Sequence, residues 1–508
     1  MKLLSSFIKL ESNTKNMSDA LHRLIHSLTQ SEKRYIQLHA ALGFDSNRKQ
    51  FKHLFESIAR QKTYNEASLK QRFPVNHFPQ LKQQLEQKIL TLLSQFNFGN
   101  RPSDHIHRNM AFYHIHFSKG QYDRAEKRLK RALVLAGKWE CYAELLLVYQ
   151  RMAELVALTS PSSEIHTYLE EMRTKIPGLL LQIHRGIQVE SWYLQVIQSN
   201  KSIEFFRNND EKEAFLANLP GLTLDPQPGD SWLVTFRLSY IRGLFHYFAG
   251  DFEQSAAAFT AMEEKMRTQP HFVPYYLDEA LKAHANCALL AVYLRNETAY
   301  AYSRKQYTSL IAKNKINAAE NTYRLLALEL KSLVQSGHWN RAERFLTEKE
   351  EEIRAIEQKW EEEALFLNER AHLMFDQLTV YIHAQSHKKA RARLHRYLHQ
   401  AERERKPDHE IIARLIEIWL LLQTDNAELV EKHLGQAATL VAHWPETSFE
   451  RSFLQLLKSI HSATTNKEIQ AVVRDWTEQL TAKNPDPYAK NTFRLFDFQA
   501  LLKAAISH

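Results

Sequence analysis

Four histidines and one aspartate crowd a single stretch, Asp104-His105-Ile106-His107 followed by His114-Ile115-His116. Imidazoles and a carboxylate at this density are the donors a transition-metal site uses. Helical spacing works against that chemistry. His107 and His114 are two turns apart, about 10.5 Å along an axis, and each i,i+2 pair points to different sides. The two cysteines, Cys141 and Cys287, are too few for a thiolate zinc site, and each sits in an apolar helical pattern that reads as a buried small side chain. No GxxxxGK[ST], HExxH or GxSxG string occurs in the chain. No metal, no cofactor and no enzymatic activity is therefore expected.

Basic residues are the next chemical signal. Residues 1–150 hold 24 Lys and Arg against 12 Asp and Glu, a net of +12, while the whole chain is +9, so residues 151–508 sum to −3. Candidate polyanion contacts are Lys33, Arg34, Arg48, Lys49, Lys52, Arg60 and Lys62, together with Arg124, Lys127, Arg128 and Arg131. Tyr35, Phe51, Phe55 and Tyr64 are interleaved with the first group. They could stack on bases, but their helical spacing fits core positions better. A second basic run, Lys388, Lys389, Arg391, Arg393 and Arg396, lies far along the chain. Two readings stand for these clusters: a surface that meets nucleic acid or an acidic protein, and a solvated helical face.

Composition indicates which elements carry these residues. Only 12 Gly and 14 Pro occur in 508 residues, so the positive-φ positions that hairpins and phosphate loops need are scarce. Good helix formers fill the space, and the expectation is an all-α chain. Five short helices are expected near 18–29, 31–43, 47–61, 65–73 and 78–97, with Ser31 and Asn65 as caps. Residues 1–16 read as a disordered leader, 17–100 as a basic helical bundle, 103–218 as a first helical-repeat segment and 230–505 as a second. The main joint is placed in the turn-rich 220–230 stretch. No apolar run approaches the ~18–20 residues that span a bilayer, and a cytoplasmic protein is expected.

The long helices carry a recurring grammar. Gly120, Tyr122, Ala125 and Leu129 repeat as Gly250, Phe252, Ser255 and Phe259, with Gly243 in the preceding helix, and again as Gly337, Trp339, Ala342 and Leu346. A fainter copy has His387, Ala390 and Leu394 without the glycine. This pattern resembles the tetratricopeptide (TPR) family of α-solenoids. The spacings between Ala125, Ser255, Ala342 and Ala390 are 130, 87 and 48, so the resemblance is to a divergent, irregular array. It implies a right-handed solenoid of antiparallel helix pairs, with Arg237, Tyr240, Leu244, Arg324 and Lys331 facing a concave surface that holds a partner peptide or helix. The implied function is a protein–protein interaction scaffold, with a nucleic-acid-binding or regulatory protein as the alternative. Arg108 and His114 also resemble the Arg-x(4–6)-His motif of HEPN-type ribonucleases. Arg101 with His107, Arg393 with His399 and Arg403 with His409 satisfy the same loose spacing, and ribonuclease is the third reading.

Overall fold

In the computed structural model, the described residues are 17–40, 48–73, 78–96, 99, 101–313, 318–361, 367–399, 406–423, 427–445, 448–482, 496–498 and 501–502. The expected leader, 1–16, lies outside them. Among the described residues there are 22 α-helices and no strand. No described helix is long and apolar enough to cross a membrane. The chain divides into two compact units, residues 1–161 and 162–508. That division falls within the segment expected to run from 103 to 218, and the turn-rich 220–230 stretch lies inside the second unit.

The first unit begins with α1 (Met17–Ser27), α2 (Gln30–Ala40), α3 (Arg48–Ala59), α4 (Glu66–Lys70) and α5 (Phe78–Phe96). Asn65 caps α4 through Ser68 N at 3.0 Å. At α2 the cap is Thr29 rather than Ser31: Glu32 N donates to Thr29 Oγ1, and the Glu32 carboxylate accepts from Thr29 N, a reciprocal capping box. Leu81, Leu85, Ile89 and Leu92 recur at helical spacing along α5 and pack with Leu21, Ile25, Leu54 and Ile58. Phe51 and Phe55 are buried in the same core, and Tyr35 and Tyr64 pack against it. The aromatic residues among the cations are thus core residues, not a stacking platform.

Helices α6 (Pro102–Ser118), α7 (Tyr122–Lys138) and α8 (Tyr142–Thr159) complete this unit. Ala125, Leu129, Ala132 and Ala136 form a fully buried stripe on α7, whose small side chains let Ile106, Met110 and Tyr113 of α6 approach closely.

The second unit opens with the 38-residue α9 (Ser162–Ser199) and the short α10 (Asn209–Ala217). Six helix pairs follow: α11 (Trp232–Phe248) with α12 (Phe252–Thr268), α13 (Leu277–Tyr293) with α14 (Glu297–Lys313), α15 (Ala318–Gln335) with α16 (Trp339–Glu361), α17 (Leu367–His383) with α18 (His387–Leu398), α19 (Pro407–Leu422) with α20 (Ala427–Leu440), and α21 (Phe449–Ser462) with α22 (Asn466–Ala482). Partners within each pair are in contact, as are the first helices α13 with α15, α15 with α17, and α19 with α21.

One turn chemistry recurs through both units. Gly120, Gly250 and Gly337 each adopt a left-handed φ of 68–73°, and the next residue donates its N–H five positions back: Gln121 to His116 O, Asp251 to His246 O and His338 to Leu333 O. This is a Schellman stop. The same bond joins Cys141 to Ala136, Asn296 to Ala291 and Ser386 to Tyr381, but there the left-handed residue is Glu140, Arg295 or Gln385. Reading the left-handed positions 250, 295, 337 and 385 gives steps of 45, 42 and 48 residues.

Close packing accompanies the turn at α11–α12. A Cβ on Gly243 would lie 2.6 Å from the Phe259 ring, and Ser255 Oγ donates to Gly243 O at 2.7 Å. Glycine is required there for helix approach.

Candidate functional site

A dense, buried polar site lies in the second unit, where residues 200–208 link α9 to α10. Two aromatic anchors set this segment. Phe206 packs among Phe215, Phe245 and Phe248, and its N–H donates to Phe248 O at 2.7 Å. Phe205 rests against Tyr247 and Phe252. With both rings fixed, Glu204 is driven inward and is 1% exposed.

Side chains from three helices, with Lys406 just ahead of α19, close on that carboxylate. Tyr247 of α11 donates to Oε1 at 2.8 Å, and Lys406 donates to Oε2 at 2.6 Å and to Ile203 O at 2.9 Å. His409 Nε2 of α19 lies 3.1 Å from Oε2, and His372 Nε2 of α17 lies 3.2 Å from Oε1. Glu204 N donates to Asp408 Oδ2, while Arg207 donates to Asp408 Oδ1 at 2.5 Å and stacks 3.9 Å over Trp444.

Burial opposes a charged Glu204, but the Lys406 ammonium and the two imidazoles overcome it and hold the carboxyl well below its usual range. Burial also pulls His409 down to about 4, so its ring is neutral at pH 7. A neutral ring that approaches a carboxylate through Nε2 carries its proton there.

The Glu204, His372 and His409 donor atoms lie within 4.8 Å of one another, as metal ligands do. The charge balance argues for another role. Lys406, 2% exposed, already neutralises the carboxylate, and both oxygens receive donors. A divalent ion would have to share the site with an ammonium. The arrangement instead clasps the link between α9 and α10 by its acidic side chain, joining residue 204 to residues some 200 positions away.

The residues expected on a concave surface are largely enclosed. Arg237 pairs with Glu190 of α9 and lies 5.2 Å over the Tyr193 ring. Tyr240 is buried edge-on to Tyr193 and Phe259, and Leu244 is buried. Lys331 is buried 2.7 Å from Asp376. Arg324 pairs with Glu320 one turn back, at 2.9 Å, and is partly accessible.

In the first unit, Arg34, Lys52, Arg60 and Lys62 are exposed and Lys33 is half-buried; Lys52 approaches Glu56 at 4.0 Å. The side chains of Arg48 and Lys49 lie outside the described residues. Arg124, Lys127 and Arg131 are exposed on α7. Arg128 stacks 4.8 Å over Phe112, and with Arg108, Lys130, Arg131 and Val134 they line an open groove of about 660 Å³ between α6 and α7. Arg108, conspicuous in the sequence only for its spacing from His114, joins the basic residues of α7 along this groove.

The histidine cluster disperses on α6. His105 Nε2 meets Gly99 O, His107 approaches Glu144 at 3.8 Å and His116 Nδ1 meets Gln121 Oε1. Arg108 donates to His105 Nδ1 at 2.9 Å. His114, six residues on at roughly 100° each, is exposed beside Tyr113. Cys287 is buried, and Cys141 is half-buried. In the second basic run, Arg393 turns inward, donating to both oxygens of buried Glu357 and to Gln377.

The Glu204 clasp left no local trace in the sequence. Its members are dispersed over two hundred residues, and His409 stood out in the sequence only for its spacing from Arg403. Among known proteins, no family model and no curated sequence matches this chain.

Proposed function

We propose that the chain is a non-enzymatic protein–protein interaction scaffold, with the second unit a right-handed, TPR-like α-solenoid. The supporting observation is the clasp itself. The first helices of three pairs, α11, α17 and α19 with Lys406 just ahead of it, grip the segment that links α9 to α10, bonding its backbone at Ile203 and Phe206 and its carboxylate at Glu204. A row of helices that holds such a segment in cis has the chemistry to hold a partner segment further along the row. Arg324, at the accessible part of α15, is its contact. The test is affinity purification of the full chain from its native cell, with and without nuclease, comparing wild type with Arg324→Glu. Nuclease-resistant partners lost in the variant support the reading. Partners that all vanish with nuclease, or that ignore the substitution, refute it.

A second reading rests on α7, where Arg124, Lys127 and Arg131 are exposed with no ion pair among the described residues. This face is a polyanion contact. Three neutralised phosphates give a log–log salt slope near −2.7, from about −0.9 per contact. Titration of the full chain with labelled RNA and DNA at low and physiological salt measures it, and no binding at low salt eliminates it.

A further inference from the structure

The groove enclosed by α18, α19 and α20 is a second polar site, separate from the Glu204 clasp, with a volume of about 470 Å³. Each helix contributes one stripe. Arg391, Leu394, His395, Leu398 and His399 follow the i, i+3, i+4, i+7, i+8 spacing of a single face of α18. Arg414, Glu417 and Leu421 do the same on α19, and Leu429, Lys432, His433 and Gln436 on α20. Three converging faces make a walled site of a size that takes a small ligand.

Its charge is one-sided. Glu417 is the only acid in the lining, and it is already held by Arg414 at 3.1 Å and His433 at 3.0 Å. Arg391 and Lys432 make no ion pair or hydrogen bond with any described residue. Helix α18 contains no acid between His387 and Leu398, so its neighbouring cations repel without relief inside the helix. Other exposed cations of this unit have acids one turn away, as in Arg354–Glu350, Lys349–Glu352 and Arg267–Glu264. The floor is apolar, with Leu394, Leu398 and Leu421 buried, which strengthens attraction between the wall cations and an anion. On the wall, the His395 and His399 rings stack at 3.7 Å, 24° from parallel. His399 Nδ1 is committed to His395 O at 2.9 Å, leaving Nε2 as its remaining polar atom.

We propose that this groove binds a small phosphate monoester with an apolar body. The guanidinium of Arg391 and the ammonium of Lys432 take the phosphoryl oxygens, Arg391 through its planar fork. The leucine floor and the stacked imidazoles take the apolar part. The site is independent of the partner reading for the scaffold, because neither Arg324 nor the Glu204 clasp contributes to it.

The test is isothermal titration of the full chain with phenyl phosphate, inorganic phosphate and benzyl alcohol. Phenyl phosphate should bind more tightly than inorganic phosphate, and benzyl alcohol should not bind. Arg391→Gln and Lys432→Gln should each weaken phenyl phosphate about tenfold, the effect of losing roughly 1.4 kcal/mol, while Arg267→Gln on α12 leaves it unchanged. All three are surface positions, and unaltered circular dichroism melting verifies that the fold is kept. Absence of phenyl phosphate binding at millimolar concentration overturns the proposal. So does binding that survives both groove substitutions, and equal affinity for inorganic phosphate overturns the assignment of an apolar body.

Discussion

Removing the Glu204 carboxylate is the sharpest perturbation of the second unit. In Glu204→Ala the Lys406 ammonium, 2% exposed, loses its counter-charge at 2.6 Å, and Tyr247 loses its acceptor at 2.8 Å. Breaking a buried pair from one side costs about 3–5 kcal/mol, because the remaining charge is stranded out of water. Lys406 keeps its bond to Ile203 O, which places the expected loss toward the lower end of that range. Replacing both partners in Glu204→Gln/Lys406→Met removes the stranded charge, and it should recover most of the loss or all of it. Urea unfolding followed by tryptophan fluorescence reads this unit, since seven of the eight tryptophans lie in residues 162–508. A cost below about 1 kcal/mol for the single variant, or a double variant as unstable as the single, refutes the clasp as an energetic tie.

Gly243→Ala places a methyl 2.6 Å from the buried Phe259 ring and should destabilise by about 1–3 kcal/mol with an unchanged urea m-value; an unshifted midpoint would show that the ring yields freely. Gln385→Gly, at a left-handed φ of 53°, should raise stability by up to about 1 kcal/mol in the same assay by relieving Cβ strain. His409, pulled down to about 4 by burial, binds fewer protons folded than unfolded. Its contribution is complete above the unfolded value near 6.5 and is lost as pH falls toward 4, at about 1.4 kcal/mol per pH unit. A His409→Gln variant should show a flatter decline of the urea midpoint over that range, and parallel curves would contradict it.

Much of the architecture was legible because it is local. Scarce glycine, abundant helix formers and apolar spacings such as 81, 85, 89 and 92 are properties of short stretches, and they sufficed for an all-helical chain and for the first five helices within a few residues. The turn glycines 120, 250 and 337 were legible for the same reason, since a left-handed position costs glycine nothing. The equivalent turns at Glu140, Arg295 and Gln385 were not. There residues that disfavour the left-handed conformation adopt it at the same hydrogen-bonded helix stop, and no glycine marks the turn in the sequence.

The sequence by itself determined the helical class, the basic bias of the first 150 residues and the burial of aromatic residues at core spacing. Tertiary structure alone decided where the cations act. Arg393 and Arg391 are two residues apart in one basic run, yet one is buried against Glu357 and the other faces an open groove. It alone decided that Glu204 meets His372, Lys406 and His409. Periodicity fixes which side of a helix a residue occupies, because that depends on its neighbours in sequence. What lies opposite that side depends on how helices hundreds of residues apart pack, and a single chain read end to end contains no measure of that.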